Sequence, residues 1–175
     1  MSRAIGSRYT VENSSQLSDY HEAVKDVISS EEMQKLKDFS HHHCMTRFQH
    51  CLNVSYYSYL LCRRLGFNAE QAARAGLLHD LYEDHPKCTR SHLVNHPEKA
   101  LENALESFKL SKVEQDIILK HMWPIRKGVP KYPESMVVMM TDKYIALIEY
   151  CIYLKTTAQG IKSRRAARKA AAANA

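Results

Sequence analysis

Apolar residues recur at intervals of three and four along most of the chain. No apolar/polar alternation bounded by turn residues marks a strand, so the pattern predicts helices throughout. Residues 1–17 read as irregular; a first helix is predicted over about 18–28 and a short second one over about 31–38, opened by Ser30. From Thr46 to Leu65 the positions Leu52, Val54, Tyr57, Leu60, Leu61 and Leu65 keep helical spacing, and Gly66 follows as the residue that ends the helix in a left-handed turn. Asn68-Ala-Glu-Gln resembles a capping box, and the helix it opens carries Ala72, Ala73, Ala75, Gly76, Leu77 and Leu78 up to His79. Such small residues imply close approach of a neighbouring helix. A polar loop containing Pro86 follows, then a helix with Pro97 at its first position that buries Leu101, Leu105 and Phe108. Ser111-Lys-Val-Glu114 is a second capping box, whose helix carries Ile117, Ile118 and Leu119 to His121 before Trp123-Pro124 stops it. Pro124 to Pro133 form a loop, and a last helix runs from about Ser135 to Thr156 with Asp142 inside its apolar stretch. The predicted fold is an all-α bundle of about six helices without internal repeat.

Length and charge narrow this picture. A chain of 175 residues with 45% hydrophobic content builds one full core, which divides it into an irregular stretch 1–17, a helical domain 18–156 and a basic, alanine-rich tail 157–175. No apolar run is long enough to cross a membrane, and the first residues lack the apolar segment of a signal peptide, so a cytoplasmic protein is expected. Five cysteines without a C-x-x-C pair (Cys44, Cys51, Cys62, Cys88, Cys151) fit reduced thiols that are buried or half-buried. The formal net charge is +6, and Lys155, Lys162, Arg164, Arg165, Arg168 and Lys169 supply much of it. A frayed or solvated helix explains that tail better than a nucleic-acid reader, while a basic surface suits a small phosphorylated substrate. A homo-oligomer is compatible with the sequence, which does not specify one.

The chemistry concentrates on a few polar residues in apolar company. His79-Asp80 ends an apolar helix, and such a pair is costly to bury unless a metal ion satisfies it. His50 precedes it; His96, His121 and Asp142 follow, each on a different predicted helix or helix edge. Four histidines and two carboxylates exceed the needs of one tetrahedral zinc, and two ions sharing the Asp80 carboxylate fit better. Iron is the first choice for so histidine-rich a pair, with manganese, cobalt or nickel as alternatives.

At these residues the chain resembles the HD-domain superfamily of metal-dependent phosphohydrolases, whose minimal pattern is His…His-Asp…Asp. The similar region runs from about Arg47 to Tyr144 and includes Thr-Arg-Phe-Gln-His50, Ala-Gly-Leu-Leu-His79-Asp80 and Thr-Asp142-Lys-Tyr. His96-Pro and Lys-His121 are similar to the dinuclear branch, which includes bacterial hydrolases that cut diadenosine tetraphosphate. The resemblance implies one ion held by His50, His79, Asp80 and Asp142 and another by Asp80, His96 and His121. It implies hydrolysis of a phosphoester or phosphoanhydride of a nucleotide or other small phosphorylated metabolite, through a water activated by the metals. Many relatives carry a phosphate-binding lysine shortly after His-Asp, where this chain reads Leu-Tyr-Glu83-Asp84-His85. Arg47, one turn before His50, is the substitute expected to meet phosphate. Arg126, Lys127 and Lys131 on the proline-rich loop are further candidates, and Tyr82 and Trp123 are candidates to line the pocket.

Plainer readings compete with each assignment. His96 could cap a helix before Pro97, His121 could be a cation at a helix C-terminus, and Arg47 could pair with Glu83 or Asp84. His41, His42, His43, His85 and His92 read as surface residues, and Tyr56, Tyr57 and Tyr59 as packing residues. The missing lysine also leaves room for an HD-fold mixed-valent di-iron oxygenase with the same six ligands. A third reading is a non-catalytic domain that binds a nucleotide or a partner.

Overall fold

A computed structural model describes residues 15–41, 45–82 and 90–173. Among the described residues seven helices follow in order: α1 (Ser15–Ser29), α2 (Glu31–Lys35), α3 (Arg47–Leu65), α4 (Ala69–Leu78), α5 (Arg90–Ser107), α6 (Lys112–Lys120) and α7 (Pro133–Ala173). Between α2 and α3 two residues pair antiparallel with two others, β1 (Ser40–His41) with β2 (Met45–Thr46). The expected all-α bundle is therefore the observed one. Among the described residues no helix is long and apolar enough to cross a membrane. The readings placed on residues 1–14, His42, His43, Cys44, Glu83, Asp84, His85, Pro86 and Cys88 lie outside the described residues, as do those on the side chains of His41 and His92.

Local chemistry sets several boundaries as the sequence predicts. Thr46 caps α3 by accepting from the Gln49 N–H, and Gly66 ends it at φ +76°, a left-handed conformation that glycine adopts without strain. Ser111 and Glu114 form a complete capping box. Asn68 accepts from the Gln71 N–H, but its own N–H is satisfied at 2.8 Å by Glu134 at the start of α7. A box expected to close within four residues closes across the bundle instead.

The centre of the fold is the packing of α4 against α3. Ala72, Ala73, Ala75, Leu77 and Leu78 are fully buried, and the Ser55 hydroxyl donates to the Ala73 carbonyl at 2.7 Å. A Cβ on Gly76 would lie 2.9 Å from the Ser55 Cα, so only glycine admits this approach without moving a helix. The small-residue run thus fixes where His79 emerges.

Four expectations need correction. Pro97 lies inside α5 rather than at its start, because the helix begins seven residues earlier at Arg90; the ring removes the N–H that would have met the Leu93 carbonyl. Leu105 is exposed, since Ala100 and Ala104 hold the inward face and leave Leu101 and Phe108 half-buried at its edge. The last helix does not end near Thr156 but continues to Ala173 through a segment rich in Ala, Lys and Arg, all strong helix formers. Cys151 is exposed, whereas Cys51 and Cys62 are buried as expected.

Candidate metal centre

Five helices deliver polar side chains to one place in the core. His50 comes from the second turn of α3, His79 caps the end of α4, and Asp80 follows it. His96 lies in α5, His121 caps α6, and Asp142 lies in α7. The structure therefore brings together all six residues expected from the sequence. The four imidazoles and Asp80 are buried, and Asp142 is largely so.

Two of the histidines are presented by the same local device. At the C-cap of α4 the Nδ1 of His79 meets the Gly76 carbonyl at 2.8 Å, and at the C-cap of α6 the Nδ1 of His121 meets the Ile118 carbonyl at 2.7 Å. A carbonyl only accepts, so Nδ1 carries the proton and, in the neutral ring, Nε2 is left with its lone pair. His50 is held likewise, its Nδ1 3.0 Å from Oε2 of the buried Glu149. Ligating histidines are oriented this way.

All four Nε2 atoms converge on the two carboxylates. His50 Nε2 lies 3.1 Å and His79 Nε2 3.7 Å from Asp142 Oδ1. His96 Nε2 lies 3.2 Å and His121 Nε2 3.7 Å from Asp80 Oδ1, and the two nitrogens are 2.8 Å apart. Ligands of one ion at bond lengths near 2.1 Å stand about 3.0–3.4 Å from each other, close to this spacing. Nε2 of His79 and Oδ1 of Asp80 are buried without a hydrogen-bond partner. Leaving them so would cost the full desolvation penalty, and a cation at this point satisfies both. The donor set fits divalent metal: His50, His79 and Asp142 offer ligand atoms within 4.8 Å of one another, and so do His79, Asp80 and His121. His79 is common to both groups.

The field of the cluster shapes its protonation. Burial opposes charge on His50, but hydrogen bonds to Asp142 and Glu149 outweigh it and raise the group to about 10. Burial, reinforced by the positive charge of His79, pushes His121 down to about 4. Burial thus works against the reading of His121 as a helix-terminal cation. Asp80 and Asp142 stay ionised because neighbouring imidazoles overcome a burial effect that would raise them. A cation entering the site must displace the proton of His50, so metal affinity is expected to rise with pH between about 7 and 10. The metal-free protein should behave oppositely. Its His50 titrates above the unfolded value of 6.5, so this contribution to stability is complete below 6.5 and lost as pH climbs through 10. Calorimetric metal titrations in buffers of different ionisation enthalpy, with melting curves of the stripped protein, check both signs.

Of the other candidates, Arg47 and Tyr82 reach the centre. Arg47 is buried, donates from Nη1 to the Tyr82 carbonyl at 2.7 Å and places its guanidinium 4.0 Å from the centroid of the Tyr82 ring. That ring stacks on His96 at 5.0 Å and 22°. Tyr82 also lines, with Leu36, Phe39 and Leu81, a cavity of about 500 Å³ whose lining includes the charged pairs Lys35 and Lys99, Glu32 and Glu106. Trp123 is half-buried in the turn after α6. Arg126 pairs with Glu98, while Lys127 and Lys131 are exposed on the connection to α7.

Sequence reasoning missed three supporting residues. Glu149 holds His50, and its Oε1 accepts from Asn53 Nδ2 at 3.2 Å. Lys143 Nζ donates at 2.7 Å to the carbonyl of His121. Spacing carried a signal for two of them: Glu149 lies two turns beyond Asp142, and Asn53 one turn beyond His50.

The family model of the HD domain matches residues 47–147, more than half the chain. The chain belongs to the HD-domain family. Most members of this family are metal-dependent phosphohydrolases. The HD span contains all six converging residues and stops short of Glu149. No curated protein and no solved structure matches the chain.

Proposed function

We propose that this HD-domain protein is a dinuclear metal-dependent phosphohydrolase that cleaves a phosphoester or phosphoanhydride of a nucleotide or another small phosphorylated metabolite. The observation that carries the proposal is the set of four inward Nε2 atoms, three of them with Nδ1 already held, around two ionised carboxylates. His50, His79, Asp80 and Asp142 would hold one ion, and Asp80, His96 and His121 the other, with iron as first choice. When bound, such a pair supplies positive charge for phosphoryl oxygens and lowers the pKa of a water toward neutrality.

The chain's own residues do the positioning. Asp80 stands between His79 on one side and His96 and His121 on the other, at 3.9, 3.2 and 3.7 Å, which suits a bridging carboxylate. Its low pKa keeps it anionic at working pH. Arg47, tied to the Tyr82 carbonyl, braces the ring that stacks on His96 and forms one wall of the neighbouring cavity. A substrate spanning cavity and metals would meet Tyr82 at that wall, with the buried Arg47 guanidinium 4.0 Å from the centroid of its ring.

Turnover tests the reading. The protein loaded with Mn²⁺ should release phosphate from nucleotide or phosphoanhydride substrates under nitrogen, with solvent oxygen appearing in the product. A reaction that requires iron and consumes O₂ would contradict hydrolysis and support oxygenase chemistry. Binding of nucleotide without turnover under any metal would support the non-catalytic reading.

A further inference from the structure

Helices α6 and α7 are tied to each other at two points. At one, Asp116 Oδ2 accepts from the Ser135 hydroxyl and from the Lys131 N–H, both at 2.8 Å. At the other, Lys143 Nζ donates to the carbonyl of His121 at 2.7 Å and reaches the Met139 carbonyl of its own helix at 3.5 Å. Asp116 is buried, and Lys143 is half-buried. The second tie falls at the metal centre. Asp142 meets His50 and His79 through its carboxylate, while its neighbour Lys143 meets the main chain of His121, whose Nε2 faces Asp80 and His96. Adjacent residues of α7 thus address the two halves of the centre. His121 is also held by its N–H on the Ile117 carbonyl at 3.1 Å and by Nδ1 on the Ile118 carbonyl at 2.7 Å. Those two bonds belong to the end of α6 and move with it; the bond from Lys143 refers His121 to α7.

We propose that Lys143 is a positioning residue that holds the end of α6 so that Nε2 of His121 stands where the second ion binds, an inference that rests on the two-ion reading above. By charge alone a lysine here works against the site. It repels divalent ions, and a half-buried ammonium has lost part of its hydration. What its donor does accounts for its place. The last carbonyls of a helix lack partners within the helix, and an ammonium satisfies one of them while meeting the negative end of the dipole. Lys120, in the last turn of α6 itself, lies against Gly128 instead, and the His121 carbonyl is served from another helix. A metal site needs its ligands held to within about 0.5 Å by partners that are themselves locked. His121 and His96 already approach to 2.8 Å between their Nε2 atoms, so a small shift of either alters the ligand geometry. Without Lys143 the tie at Asp116 remains, about 7.5 Å back along α6, which keeps the helix docked and leaves its end free to move.

Lys143→Met keeps the length and apolar stem of the side chain and removes the donor and the charge. Calorimetric titration of the stripped full chain with Mn²⁺ should find one site weakened 10- to 100-fold, the site that is absent from His96→Ala, with the other unchanged and with Lys143→Arg close to wild type. Were the charge of Lys143 all that mattered, its loss would tighten both ions. Were Lys143 only a cap for α6, the melting temperature would fall and the affinities would stay as they are. Either result overturns the proposal, as does equal weakening of both sites. Imidazole NMR signals of the metal-free protein test the positioning without any ion. The Nδ1–H of His121, bonded to the Ile118 carbonyl, should exchange with water faster in Lys143→Met than in the wild type or Lys143→Arg. An unchanged His121 signal overturns the proposal. A wild-type chain that takes up no second ion would end the two-ion reading instead, and the His121 signal would still decide the role of Lys143.

Discussion

Asp80→Asn should strip the protein of both ions and lower hydrolysis by about 10³-fold or more. Asparagine keeps the volume of a buried side chain, so the packing of α4 against α3 survives, but it has neither the charge nor the second anionic oxygen to sit between two cations. The Asp80 carboxylate lies within 4 Å of three of the four imidazoles, which none of the other five converging residues replaces. Two bound cations are worth several kcal/mol of transition-state stabilisation, and each 1.36 kcal/mol is a factor of ten in rate. Elemental analysis of the folded variant, beside its turnover, checks the expectation. A variant with two ions and undiminished rate would exclude Asp80 as a bridge.

The second large effect lies outside the ligand set. Glu149 is buried between His50 Nδ1 at 3.0 Å and Asn53 Nδ2 at 3.2 Å, with Gln49 Nε2 donating onward to Asn53 Oδ1 at 3.0 Å. In Glu149→Gln the amide oxygen can serve Asn53 or His50, and the amide nitrogen then faces a donor. If it faces His50, the ring is driven to the tautomer with a proton on Nε2, which cannot bind metal. Loss of a partner that orients a ligating histidine costs 10- to 100-fold in metal affinity, and that range is expected for the ion that His50, His79, Asp80 and Asp142 would hold. Glu149→Ala should lose affinity and also about 3–5 kcal/mol of stability, because it leaves a buried pair broken. Metal titrations compared with melting curves separate the two variants. Unchanged affinity in Glu149→Gln would show that Glu149 only fills space.

Much of the centre was legible in the sequence for a physical reason. Imidazoles and carboxylates next to apolar helix faces are costly unless paired, so His50, His79-Asp80, His96, His121 and Asp142 stand out against Leu, Ile and Ala neighbours. Capping signals are equally local, and Ser111-Glu114 opens its helix and Gly66 ends its own as the sequence predicts. What escaped depends on packing between distant elements. Glu149 sits between Ile148 and Tyr150 on a helix that continues for many residues, and only the approach of α3 makes it interior. The Asn68 N–H finds Glu134 across 66 residues, although Gln71 stood nearby to close the box. Pro97 misled because proline favours a helix start, while α5 already had seven residues before it.

Six side chains from five helices are proposed to hold two divalent ions. Elemental analysis of the full-length protein, purified without chelator and reloaded under nitrogen, tests this directly. Two ions per chain are expected in the wild type, one in His96→Ala and none retained through dialysis in Asp80→Asn. Wild-type protein that is folded, competent to hydrolyse its substrate and free of metal would contradict it.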